Sequence, residues 1–113
     1  FRHPIAGVQI VKGTVEVNES LKDAAIRELY EESGISTATI QSYLGLHIPS
    51  ESGPHWHVFV CQTTETLKDN WTHFCQDDGG LKFEFFWHSL SLPPTTEWHP
   101  IFQELFTFIN VNY

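Results

Sequence analysis

The stretch from Gly13 to Ile35 constrains this chain more than any other. It reads GTVEVNESLKDAAIRELYEESGI and carries Glu19, Glu28, Glu31 and Glu32, the last three within about a turn and a half of helix. Carboxylates that close repel one another, and like charges at i,i+4 weaken a helix by roughly 0.2–0.5 kcal/mol per pair. A divalent cation seated among them offsets that cost, because hard cations take oxygen ligands.

Local signals make the segment a loop followed by a helix. Gly13 to Asn18 reads as loop. Ser20 is an N-cap with Asp23 in the first turn, and Gly34 stands where a C′ glycine ends a helix, so a helix is predicted from Ser20 to about Ser33. With Glu28 at zero and 100° per residue, Glu31 falls at about −60° and Glu32 at about +40°. Leu21 at about +20°, Ala24 at about −40° and Ala25 at about +60° share that side. Solvated charges stand opposite an apolar stripe, whereas these glutamates extend it, which places them in a cleft. The two alanines let the helix approach a sheet closely. Arg27, at about −100°, flanks the cluster and is suited to hold a carboxylate or a phosphate oxygen.

The rest of the chain reads as strands and one more helix. Ile5 to Val11, Ala38 to Ile48, His55 to Thr64 and Leu81 to Leu90 carry strand signals, and Pro49 to Pro54 reads as a turn. Glu65 to Gly80 is polar and reads as a long loop. Glu97 to Ile109 has apolar residues at 101, 102, 105, 106, 108 and 109, the stripe of an amphipathic helix. The order is that of a mixed α/β domain spanning residues 1–113.

Charge narrows the functions open to such a domain. The formal net charge of −8 excludes broad nucleic-acid binding, which needs a basic footprint. It also makes a phosphorylated substrate hard to admit unless a metal supplies local positive charge. No apolar run reaches the roughly 18 residues of a membrane span. Cys61 and Cys75 are the two cysteines, read as reduced thiols of a cytoplasmic protein. The chain starts at Phe1 and contains no methionine, which predicts residues upstream of it.

Gly13, Glu19, Arg27, Glu28, Leu29, Glu31, Glu32, Gly34 and Ile35 together resemble the Nudix box, G-x(5)-E-x(7)-R-E-U-x-E-E-x-G-U, at every fixed position and with both spacers intact. The resemblance covers residues 13–35, and the strand before, strands after and closing helix are similar to the family's pattern. It implies an α/β/α sandwich with a mixed sheet. It implies a hydrolase that cleaves the pyrophosphate bond of a nucleoside diphosphate linked to another group, with Mg2+ or Mn2+. Glu28, Glu31 and Glu32 would be the metal ligands, joined by the backbone carbonyl of Lys12, and Glu28 would also activate or orient the water. Arg27 would position Glu28, Glu19 would support that arrangement, and Gly13 and Gly34 would allow the turns. Many such proteins are dimers, so a homodimer is among the states it implies. Lys12-Gly13 stands where many members have Gly-Gly, and this pair is similar to that of diadenosine polyphosphate and diphosphoinositol polyphosphate hydrolases. Family members place more sequence before the box than twelve residues, so the domain is expected to lack its N-terminal strand here, with Phe1-Arg2 as the end of it.

Outside the segment the candidates are less specific. His55 and His57 share a strand face, read as a half-exposed face or as a phosphate or base contact, since no third ligand at metal-site spacing accompanies them. Trp71 and Phe74, placed in the long loop, are the favoured stacking platforms for a nucleobase. A further carboxylate could come from Glu51, Glu65, Asp77, Asp78 or Glu84. Two other functions compete. One is a binding or regulatory module of the same fold without catalysis, which a complete box argues against. The other is an isopentenyl-diphosphate-isomerase-like enzyme, whose catalytic cysteine has no counterpart in the settings of Cys61 and Cys75.

Overall fold

Alternation and capping resolve into six strands and two helices among the described residues, 1–76 and 79–113, of the computed structural model. The order is β1 (Arg2–His3), β2 (Gly7–Val8), α1 (Leu21–Ser33), β3 (Ala38–His47), β4 (Trp56–Thr63), β5 (Asn70–Cys75), β6 (Leu81–Phe86) and α2 (Pro100–Asn112). Strands β2-β1-β6-β5 form one sheet and β3-β4 a second, with antiparallel pairing throughout both. The parallel component is a single bridge between Val8 and Trp98. Helix α1 touches β3 and β4 on one side and β5 and β6 on the other, and α2 packs on β3. The α/β class is as expected, but in place of one mixed sheet the described strands form two antiparallel sheets, with the carboxylate helix contacting both.

Two aromatic-rich clusters hold these layers together. Val8, Trp98, Phe102, Leu105 and Phe106 form the larger, which seats α2. Phe1, Cys75, Phe83 and Phe85 form the other, where Phe1 stacks on Phe83 at 4.4 Å between ring centres. Burying side chains of this size contributes roughly 1.5–3 kcal/mol each, which makes both clusters principal stabilisers.

Four sequence expectations need correction. The strand expected over 5–11 is only Gly7–Val8: Pro4 lacks a donor, and His3 Nδ1 accepts from the amides of Ile5 and Ala6, closing a turn there. The long loop expected over 65–80 contains β5, paired residue by residue with β6 (Trp71 with Phe85, His73 with Phe83, Cys75 with Leu81). Trp71 and Phe74 are thus strand residues, not loop residues. The strand expected to run to Leu90 stops at Phe86. Helix α2 starts at Pro100, three residues later than expected, because Trp98 bridges to Val8: the Val8 amide donates to Glu97 O and the His99 amide to Val8 O. Pro100 then suits the first helical turn, where its missing N–H costs nothing. Asp77 and Asp78 lie outside the described residues.

Candidate active site

The capping expected from the sequence fixes where α1 begins and ends. The Ser20 hydroxyl accepts from the Asp23 amide at 3.1 Å, and Gly34 ends the helix with φ 81°, returning its amide to Tyr30 O. That left-handed conformation strains any residue with a Cβ, so glycine is required there.

Arg27 organises the carboxylates. Its Nε donates to Glu19 Oε2 at 2.8 Å and Nη2 to Glu19 Oε1 at 3.0 Å, a bidentate pair. Nη1 donates to Glu28 Oε1 at 2.8 Å and to Glu31 Oε2 at 3.1 Å, and Nη2 also reaches Thr14 O at 2.9 Å. One guanidinium therefore ties the loop before the helix to two glutamates on it. The Glu19 carboxylate in turn accepts from the Glu16 amide at 3.0 Å.

This network sets an acid limit. Arg27 beside Glu19, then the Glu16 amide, holds the Glu19 carboxyl below its usual range. A carboxylate with a depressed folded pKa contributes stability above its unfolded pKa, near 4.3, and loses it as pH falls through the lower folded value. Urea midpoints measured from pH 6 downward are expected to fall less steeply below about pH 4.3 in Glu19→Gln than in the parent. Equal slopes would remove Glu19 from the acid response.

The three box glutamates differ in environment. Glu32 is buried at 7% exposure, the Glu28 side chain is 14% exposed, and that of Glu31 is 38% exposed. The inward-facing reading thus fits Glu28 and Glu32 better than Glu31. The Glu28 carboxyl lies against Gly13 so closely that a side chain on Gly13 would overlap it. Among the described residues, no three His, Cys, Asp or Glu side chains are grouped to hold a metal ion.

Glu28, Gly13 and Lys12 line one part of a cleft of about 590 Å³ that runs between the sheets and the helices. Trp71 and His57 also line it. Trp71 serves packing: its ring stacks on Phe85 at 5.1 Å and its Nε1 donates to Ser33 O at 2.9 Å. His57, exposed on β4, shares a 2.7 Å hydrogen bond between its Nδ1 and the Tyr43 hydroxyl. Phe74 faces away from this cleft, beside Tyr30, Glu31 and His73 in a smaller hollow. Of the candidate outside carboxylates, Glu84 pairs with Arg2 and Glu65 accepts from Thr37 Oγ1, while Glu51 is exposed in the turn after β3.

The sequence reading missed the clamp on the end of α1. Besides the Trp71 bond to Ser33 O, His73 Nε2 contacts Glu31 O at 3.1 Å. Strand β5 therefore satisfies carbonyls that the last turn of a helix leaves without partners. The alternation of Trp71, His73 and Cys75 was the available signal.

A family model described as the NUDIX domain matches residues 2–106. The chain belongs to the Nudix family. Neither the curated proteins nor the solved structures gave a significant match. Nudix proteins are hydrolases of pyrophosphate bonds in small nucleotide-like substrates, and they generally use divalent metals. Among the described residues no helix is long and apolar enough to cross a membrane. Cys61 and Cys75 are not joined in a disulfide. The Cys61 thiol lines the cleft, and burial pushes its pKa up, away from the thiolate that nucleophilic chemistry needs.

Proposed function

We propose that this Nudix chain is a metal-dependent hydrolase of the pyrophosphate bond in a nucleoside diphosphate linked to another group. One observation carries the reading: the Glu28 carboxylate, oriented by Arg27, lies against Gly13 in the wall of an open cleft.

The donor set suits Mg2+ or Mn2+. Glu28, Glu31, Glu32 and the Lys12 carbonyl offer oxygen alone, the ligand type that hard cations take. A cage of three grouped side chains is not required, because Mg2+ commonly rests on one or two carboxylates and completes its shell with substrate phosphates and water. Glu28, Glu31 and Glu32 would hold the ion, which when bound neutralises phosphoryl charge and lowers the pKa of a bound water. Glu28 would also activate or orient a water, accepting its proton. Arg27 positions Glu28, and Glu19 fixes Arg27 from the other side, so the carboxylate keeps one orientation. The two cysteines, unlinked, fit a cytoplasmic location.

The rival reading is a Nudix-fold nucleotide-binding or regulatory module without catalysis. A panel of dinucleotides and nucleotide sugars, assayed with Mg2+, with Mn2+ and with excess chelator, separates the two. The hydrolase reading expects turnover that chelation abolishes and Mg2+ restores. Tight nucleotide binding by calorimetry without turnover under either metal selects the rival.

A further inference from the structure

Away from Glu28, the cleft carries almost no formal charge. Lys12 is the single lysine or arginine among its described lining residues. The nearby arginines are engaged elsewhere, Arg27 with Glu19, Glu28 and Glu31, and Arg2 with Glu84 and Glu97. The remaining walls are largely aliphatic and aromatic. A group bearing several phosphates would enter such walls without compensating charge, in a chain of net charge −8, and that is strongly unfavourable. An uncharged ring meets no such penalty, and the volume lies within the roughly 300–1,000 Å³ of small-molecule sites.

Trp87 gives the cleft a recognisable selector. It follows β6, lines the cleft, and remains 64% exposed, so its ring stands at the open edge and not in either core cluster. Its Nε1 donates to Lys68 O at 3.1 Å, which fixes the indole without covering it. Val15 and Leu90, also partly exposed, continue the apolar edge.

We infer that this cleft seats an uncharged ring of the substrate, and that Trp87 selects for it by stacking. The inference rests on the hydrolase reading and narrows it to diphosphates whose flanking groups carry no further phosphates.

Two measurements on the parent, Trp87→Ala and Trp87→Phe test it. The first is quenching of tryptophan fluorescence by adenosine, which has a ring and no phosphate. The second is hydrolysis, with Mg2+, of the methyl ester of ADP and of a diphosphoinositol pentakisphosphate. Stacking of one base predicts about a tenfold rise in both the adenosine Kd and the KM for the ADP ester in Trp87→Ala, with kcat within about twofold and recovery in Trp87→Phe. The inositol compound is expected to be turned over at least about a hundredfold less efficiently. Hydrolysis of the ADP ester with Kd and KM unmoved by Trp87→Ala would overturn the assignment while leaving the hydrolase reading intact. Comparable turnover of the inositol compound would overturn it too. Trp87-dependent adenosine binding without hydrolysis of either diphosphate would instead remove the hydrolase and keep the ring site.

Discussion

Glu28→Gln is expected to lower kcat by about 10²–10⁴-fold, the range spanned by loss of a group that moves a proton in the transition state. Glutamine has nearly the shape of glutamate, and its carbonyl oxygen can still accept from Arg27 Nη1, so the side chain keeps its place over Gly13. What disappears is the negative charge and the ability to take a proton. The substitution therefore separates chemistry from architecture: the urea midpoint should move little while turnover collapses. Steady-state kinetics on whichever diphosphate the panel identifies, alongside an unfolding curve, gives both numbers. A kcat within about threefold of the parent would take Glu28 out of the reaction.

The second large effect concerns the support behind the cleft. Phe102→Ala is expected to cost about 3–5 kcal/mol of unfolding free energy. Phe102 is 3% exposed, stacks on Trp56 with ring centres 5.2 Å apart, and packs with Val8, Trp98, Leu105 and Phe106. Truncation removes an aromatic ring from a site walled by other rings on separate elements, which cannot all collapse inward to refill it. Domains of this size have roughly 5–15 kcal/mol in total, so the variant would stand near the limit of folding. Val111→Ala on the same helix is the control: Val111 is 79% exposed, and a change within about 0.5 kcal/mol is expected. Urea denaturation followed by tryptophan fluorescence reads both, and a loss below about 1 kcal/mol for Phe102→Ala would mean α2 is not seated as described.

Local signals were the legible ones. Ser20, Gly34 and the 3.6-residue stripe placed α1 to within about a residue at each end, since caps and periodicity act within a few positions. The aliphatic and aromatic runs of β3 and β4 were similarly plain. Where distant residues decide the structure, sequence reading faltered. Nothing near Trp98 announces that it bridges to Val8, which delays α2. Strand β5 is polar enough at Asn70, Thr72 and His73 to pass for loop, and only pairing with β6 makes it a strand. At the site, the spacing of the glutamates was readable and the resemblance implied an Arg27–Glu28 pairing supported by Glu19, but the reach of the same guanidinium to Glu31 was not legible. A rotamer choice among three acceptors is settled by packing and not by spacing.

The bridge between Val8 and Trp98 joins positions about ninety residues apart. Closing so long a loop carries a large entropic cost, recovered only when the aromatic cluster around α2 assembles with it. Val8, Trp98, Leu105 and Phe106 line the same cleft as Glu28. The pocket is therefore a cooperative property of the whole polypeptide: a piece ending before α2 would retain every glutamate of the box and have no chamber in which to use them.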